Sequence, residues 1–257
     1  MASGTEPRAA LVIIGAEVLS GKIADENAPF LVHELRARGV EVVEIRTIGD
    51  DVETIAAAVR ALAAEADHVL TTGGVGPTHD DVTIAGVARA FDVAVVRDPE
   101  IERRLVARYR ERLKPAHLKM AEVPAGARLT FLDDTAFLSV VQARNVTVLP
   151  GVPFLARLCF ARVADEFHGV PFFGRTLWLA ASESSFAAEL ARVQERFPRV
   201  AIGSYPRFEK GTPGSRMHRV KITLDGRDPA LVDEALAAVR AGLEPAWILG
   251  ESPDAEP

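Results

Sequence analysis

Asp67-His-Val-Leu-Thr-Thr-Gly-Gly-Val-Gly-Pro-Thr-His-Asp-Asp-Val-Thr83 is the stretch on which the reading of this chain turns. Residues 69–72 are apolar or β-branched, as in a short buried strand, and glycines follow at once. Gly73, Gly74 and Gly76 lack Cβ atoms, so the backbone can turn sharply there and come close to a bulky ligand. Pro77 and Thr78 stiffen the exit. Asp80, Asp81 and Thr83 then stand at the N-terminus of a helix marked by Ile84, Val87, Ala88 and Phe91. A helix N-terminus offers unpaired N–H groups and a positive dipole end, which suits phosphate. Two adjacent carboxylates repel phosphate unless a divalent cation lies between, so the segment points to a phosphorylated ligand held with a metal such as Mg²⁺. Asp or Thr at a helix start also serves as a simple cap, and the residues alone leave both readings open. The pattern is not a P-loop, because no Lys-Ser/Thr follows, nor is it a G-x-G-x-x-G fingerprint.

Outward from this turn, strand and helix signals alternate. Residues 9–14 form a continuous apolar run, as expected for a strand covered on both faces. Ala28, Leu31, Val32 and Leu35 have helical spacing, and Gly39 stops that helix. Residues 40–48 are rich in β-branched side chains, and Val52, Ile55, Ala56, Val59 and Leu62 form the next helical stripe. Residues 93–96 read as another short strand, and Asp98-Pro99 opens a polar helix to about Leu113. The succession predicts an α/β fold with a mostly parallel sheet and helices on both faces. Residues 129–132, 138–142 and 146–149 read as short strands without helices between them, and Pro150-Gly-Val-Pro153 launches a helix to about Phe167. These elements make residues 1–169 one α/β domain. Residues 170–250 read as a small α+β domain of order βαββα, with residues 209–215 a flexible loop. Residues 251–257 are expected to fray as a polar tail.

Bulk properties narrow the function. The 257 residues carry a net charge of −6, with 48% hydrophobic and 26% charged positions. That composition fits a soluble globular protein with a substantial core. The acidic balance argues against a nucleic-acid partner. The arginine-rich stretch from Arg103 to Arg112 reads as the solvated face of a helix. The single cysteine, Cys159, sits among apolar neighbours and reads as a core residue. No apolar run reaches a membrane span and no signal peptide is present, so no membrane partner and a cytoplasmic location are expected.

With these motifs placed, the chain resembles the molybdopterin-binding (MoaB/Mog-like) superfamily. Within it, the chain is most similar to the N-terminal domain of the competence/damage-inducible CinA proteins and to the related domain of eukaryotic FAD synthetase. The resemblance rests on Ile14-Gly-Ala-Glu-Val-Leu-Ser-Gly21, Asp25-Glu-Asn27, Thr47-Ile-Gly-Asp50, Thr71 through Thr83, Lys119-Met-Ala and Val148-Leu-Pro-Gly-Val-Pro153. It implies a three-layer sandwich, chemistry on nucleotide or pterin phosphates, a divalent metal (Mg, or Mn or Co) and a homo-oligomer, dimer or trimer. CinA-type members are metal-dependent pyrophosphatases of ADP-ribose or FAD, and Mog-like members bind molybdopterin and activate it by adenylyl transfer. The nicotinamide-nucleotide amidase domain of longer relatives is not in this sequence.

Carried over by motif, Gly73, Gly74 and Gly76 would cradle phosphates with backbone N–H groups, and Asp50 and Asp81 would hold the metal across them at one sheet edge. Asp80 is a further metal ligand or a cap. His79 is a general acid or phosphate donor, or an exposed loop residue without a role. Glu17 would hold metal or ribose and Ser20 a phosphate, unless the loop of Gly15, Glu17, Ser20 and Gly21 is merely solvated. Asn27 hydrogen-bonds ligand or caps its helix. Lys119 pairs with phosphate as a point charge. Thr72 and Thr78 flank the ligand, and Gly151 and Pro153 shape its wall. Two positions depart from the family: Ala16 stands where relatives carry Asp or Asn, and Asp133-Asp-Thr-Ala-Phe-Leu-Ser139 replaces a Gly- and Pro-containing segment. Three functions follow in order: a nucleotide pyrophosphatase, a pterin-binding or transfer protein, and a non-catalytic nucleotide-binding module.

Overall fold

The structure, a computed structural model, describes residues 6–207 and 219–253. The chain divides into two compact units, Met1–Val170 and Pro171–Pro257.

The first unit runs β1 (Arg8–Ile14), α1 (Ala16–Leu19), α2 (Asn27–Ala37), β2 (Glu41–Ile48), α3 (Val52–Glu65), β3 (His68–Thr72) and α4 (Thr83–Ala90). It continues with β4 (Val95–Arg97), α5 (Pro99–Tyr109), α6 (Pro115–Lys119), β5 (Glu122–Pro124), β6 (Arg128–Phe131), β7 (Ser139–Ala143), β8 (Val146–Leu149) and α7 (Pro153–Val163). Its main sheet has the order β2-β1-β3-β8-β7-β6. The first four strands are parallel, and β7 and β6 return antiparallel. In β1, Ala10, Val12 and Ile14 join one core with Ile55, Val59, Leu62, Val87, Ile101 and Leu105. Ala9, Leu11 and Ile13 alternate onto the other core with Leu31, Leu35, Phe160 and Val163. A strand buried on both faces has no polar face, which is why this run reads as continuously apolar. The result is a three-layer α/β sandwich, with α3, α4 and α5 on one face and α2 and α7 on the other. The carboxyl ends of β1, β2, β3 and β8 share one edge, and the loops at Gly15, Gly49, Gly73 and Gly151 gather there.

Three expectations need correction. Residues 95–97 are not a strand of the main sheet: β4 pairs antiparallel with β5 in a separate two-stranded sheet, and all its residues are exposed. Two exposed valines do not supply the two-sided burial that an inner parallel strand requires. The helix after the glycine turn begins at Thr83, with Val82 at its cap position, so Asp80 and Asp81 lie in the preceding loop rather than in the helix. The segment after strand one, read as loop, contains the one-turn helix α1.

The second unit runs β9 (Phe173–Leu179), α8 (Glu183–Arg196), β10 (Ala201–Arg207), β11 (Arg219–Gly226), α9 (Pro229–Ala241) and β12 (Ile248–Pro253). Its antiparallel sheet has the order β10-β11-β9-β12. Leu177, Leu179, Ile222 and Leu224 pack on Phe186, Val193, Val232 and Val239. The order is therefore βαββαβ. Residues 251–253, expected to fray, pair with β9, and Arg240 forms an ion pair with Glu251. A short polar strand suits a sheet edge whose outer side meets water. Residues 209–215 and 254–257 lie outside the described residues. No helix among the described residues is long and apolar enough to cross a membrane.

Candidate functional site

The glycine turn is shaped by close approach of three strand ends. Gly73 has φ +99, and a Cβ on it would lie 2.0 Å from the Ile14 carbonyl oxygen. Its N–H donates to Leu149 O at 3.2 Å. A Cβ on Gly151 would in turn stand 3.1 Å from Gly73 Cα. Gly74, at φ +63, leaves room for Thr83, whose hydroxyl donates to Gly73 O at 2.7 Å and whose N–H donates to Gly74 O at 3.0 Å. The Gly73 amide is thus committed to the sheet and is not a phosphate donor, contrary to the motif-based expectation. The amides of Gly74, Val75 and Gly76 accept no such commitment among the described residues, so they are the donors this turn can offer.

Asp81 folds back onto its own loop. Its Oδ2 accepts from the Thr78 N–H at 2.7 Å and from the Thr78 hydroxyl. Gly76 lets it come close: a Cβ there would lie 2.7 Å from that same oxygen. Lys119 Nζ donates to the Thr78 carbonyl, which ties α6 to the turn. Asp80 is held below the usual carboxylate range by Thr78 and by its own backbone N–H, with the charges of His79 and Lys119 adding to the effect. The Thr78 hydroxyl has one proton, and its geometry gives it to Asp81; rotation about the C–O bond offers it to Asp80 instead. The His79 side chain is 97% exposed, 3.8 Å from Asp80.

Beside this turn lies a recess of about 130 Å³. Gly74, Gly76, Asp81 and Lys119 line it, together with Ile84, Ile101, Met120, Glu122, Phe137, Leu138 and Ser139. Polar groups at one end and an apolar wall elsewhere are what a small-molecule site requires.

The remaining expected site residues are placed differently. Asp50 is not among the walls of the recess; its Oδ2 accepts from the Ala16 N–H at 2.8 Å and so caps α1. β2 and β3 flank β1, so their ends stand two strand spacings apart, about 10 Å. Asp50 and Asp81 thus leave different strand ends, and each carboxylate binds backbone of a different loop, Asp50 at Ala16 and Asp81 at Thr78. Among the described residues, no group of three or more His, Cys, Asp or Glu is placed to hold a metal. Asp81 Oδ1 takes no hydrogen bond among the described residues and is the oxygen available to a cation. Glu17 is exposed, its carboxylate folded beside Gly15. Ser20 donates to the Glu17 carbonyl at 3.2 Å, and Gly21, at φ +70, closes that turn.

Asn27 is 5% exposed and donates from Nδ2 to Gly151 O at 2.8 Å. The cap of α2 is instead Asp25, whose Oδ1 accepts from the N–H groups of Asn27 and Ala28. Asn27 Oδ1 and the buried Thr72 hydroxyl have no partner among the described residues. Pro153 opens α7. The sequence reading missed Ile101 as a recess wall, whereas Phe137 lies in the 133–139 segment it had singled out as departing from the family. Ile101 falls in the stretch read only as a polar helix, and nothing local marked what it would meet.

The comparisons agree with this architecture. The family profile described as "Probable molybdopterin binding domain" matches residues 10–169, and that described as "FAD synthase, middle domain" matches residues 171–252. A protein of Archaeoglobus fulgidus is 34% identical over 88% of this chain and 93% of its own. A "Probable FAD synthase" of Caenorhabditis briggsae is 30% identical over 95% of this chain and 50% of its own, so the chain spans about half of that relative. The solved structure of the protein CinA from Thermoplasma acidophilum, titled as of unknown function, aligns with a TM-score of 0.58 at 26% identity, covering 63% of this chain and 98% of that one. With a strand-end glycine turn, a three-layer α/β sandwich and a family match over residues 10–169, the chain belongs to the molybdopterin-binding domain family, and its residues 171–252 are similar to the FAD synthase middle domain.

Proposed function

We propose that the chain is a divalent-metal-dependent pyrophosphatase that cleaves a phosphoanhydride beside an adenosine, as in ADP-ribose or FAD. One observation carries this reading: a glycine turn with uncommitted amides opens onto a recess that holds Asp81 and Lys119 on its wall. The amides of Gly74, Val75 and Gly76 bind phosphate oxygens. Lys119 offsets phosphate charge once it leaves the Thr78 carbonyl. Asp81 would hold the cation through Oδ1, while Oδ2 stays with Thr78 and fixes the carboxylate plane. Bound Mg²⁺, Mn²⁺ or Co²⁺ supplies charge neutralisation and an acidified water. Asp80, kept ionised, supports the same cation from the loop. Asp50 serves this arrangement indirectly, by ordering α1 at the neighbouring strand end.

The test is AMP release from ADP-ribose and from FAD with each of these metals. Asp81→Asn is expected to lower turnover by about 100-fold or more, because it removes a ligand charge from the reacting centre. Absence of AMP with every metal would overturn the reading. A pterin-binding or adenylyl-transfer protein is the second reading, favoured by the profile match over residues 10–169; retention of molybdopterin on the purified chain tests it. Calorimetry that finds nucleotide binding without turnover would support a non-catalytic module instead.

A further inference from the structure

Residues 132–138 join β6 to β7 and bring Phe137 and Leu138 onto the recess wall. This is the segment that lacks the family's glycines and proline. Other contacts order it. Asp133 Oδ1 accepts from the Thr135 N–H, the Thr135 hydroxyl and the Ala136 N–H, each at 2.7 Å. Leu132 N–H closes the neck on Leu138 O at 3.3 Å. Arg104, on α5, grips the loop from outside. Its Nη1 donates to the carbonyls of Asp133 and Ala136, both at 2.8 Å, and its guanidinium stands 3.8 Å from the centre of the Phe131 ring. Glu100 holds Arg104 Nε at 2.6 Å, and the arginine side chain is 13% exposed. Ile101, one turn earlier on α5, itself lines the recess. One helix therefore supplies one wall and pins another.

We propose that Phe137 and Leu138 form the ring-selecting wall of the recess, and that Arg104 is the positioning residue that sets how far they reach. Building on the nucleotide reading above, the wall takes the planar heterocycle carried by the ligand, while the glycine turn takes its phosphate. Ile84, Ile101, Phe137 and Leu138 supply the apolar surface that such a ring buries. Arg104 is suited to the task because its Nη1 holds both carbonyls while its Nε stays with Glu100 and its flat guanidinium covers the Phe131 ring, a combination that a lysine ammonium does not offer.

The experiment compares binding of AMP and of ribose 5-phosphate, which share a phosphate and a sugar but differ in the ring. The wild-type chain is expected to prefer AMP by about tenfold or more. Phe137→Ala is expected to erase most of that preference while leaving ribose 5-phosphate affinity unchanged. Phe137→Leu, which keeps an apolar side chain, retains part of it and guards against a misfolded alanine variant. Arg104→Ala and Arg104→Lys should both reduce the preference and speed amide exchange in residues 135–139, since an ammonium lacks the second nitrogen that Glu100 holds and the planar face that covers Phe131. A merely structural role would weaken both ligands alike, and that outcome overturns the proposal. So does an intact preference in Phe137→Ala and Arg104→Ala. Failure of the wild-type chain to bind either ligand would instead sink the nucleotide reading on which the proposal rests.

Discussion

The loop after β1 and the loop after β3 leave neighbouring parallel strands at the same sheet edge, yet they satisfy their polar groups differently. After β1, most of the loop's amides are taken: Gly15 N–H donates to Ile48 O, Ala16 N–H to Asp50, and those of residues 18–23 to carbonyls of the same loop. Ser20, Lys22 and Ile23 all bond to the Glu17 carbonyl, and Asp50 closes the start of α1. After β3, Gly73 is tied to Leu149 and Thr78 to Lys119, and Thr83 closes the loop on Gly73 and Gly74. Held from outside, the second loop needs none of its Gly74, Val75 and Gly76 amides for itself. A loop whose amides are mostly paired is a stable connection, whereas one with three successive amides to spare keeps donors for a ligand. That difference, rather than the shared position at the strand ends, separates support from site.

The comparison breaks most readily at its glycines. Gly73→Ala is expected to cost about 4 kcal/mol or more, since it combines a left-handed residue with main-chain overlap on Ile14. Gly21→Ala, also at positive φ but with nothing within 4 Å, is expected to cost only about 1–2 kcal/mol. Denaturant unfolding followed by hydrogen exchange in β1 and β3 measures both. Equal costs would mean that the turn after β3 is no more constrained than its neighbour.

Hydroxyl deletions sharpen the contrast at smaller amplitude. Thr83→Val keeps the shape but leaves the buried Gly73 carbonyl without its hydroxyl donor, for an expected loss of about 1–3 kcal/mol. Ser20→Ala removes an exposed hydroxyl from a turn that three other bonds already close, and a change within about 0.5 kcal/mol is expected. Thermal unfolding of the two variants side by side decides the matter.

How much of this was readable from sequence depends on the range of the interaction. Residues 9–14 announced a doubly covered strand because burial on two faces is written into consecutive apolar side chains. Gly73 and Gly74 announced a turn because left-handed backbone restricts residue choice locally. Asn27 was open between cap and ligand contact, because its true partner, the Gly151 carbonyl, is 124 residues away. Asp50 and Asp81 carry the family motif equally well, yet β1 lies between their strands, and strand order is not a local property. The strand read at residues 93–96 misled for a related reason: a short run with β-branched side chains satisfies a strand pattern without saying which sheet receives it. Arg104 looked like one charge of a solvated helix face, and only the fold brings Asp133 and Ala136 to it.

The smallest expected effect concerns that same arginine. Glu100 is pushed down from its ordinary 4.5 to about 2 by hydrogen bonds from Arg103 and Arg104. A carboxylate with a lowered folded pKa contributes stability that is fully present above its unfolded value and is lost as pH falls through the folded one. Wild type and Glu100→Gln should therefore differ in melting temperature by about 1 °C at neutral pH, since the group is solvent-exposed and salt-screened. The gap should persist down to pH 4.5, shrink below it, and vanish near pH 2. Added salt should shrink it at every pH. The same substitution leaves the loop after β1 untouched, so amide exchange should rise in residues 135–139 and stay constant in residues 16–23. Equal changes in both segments would show that the bracing of the β3 recess does not run through α5.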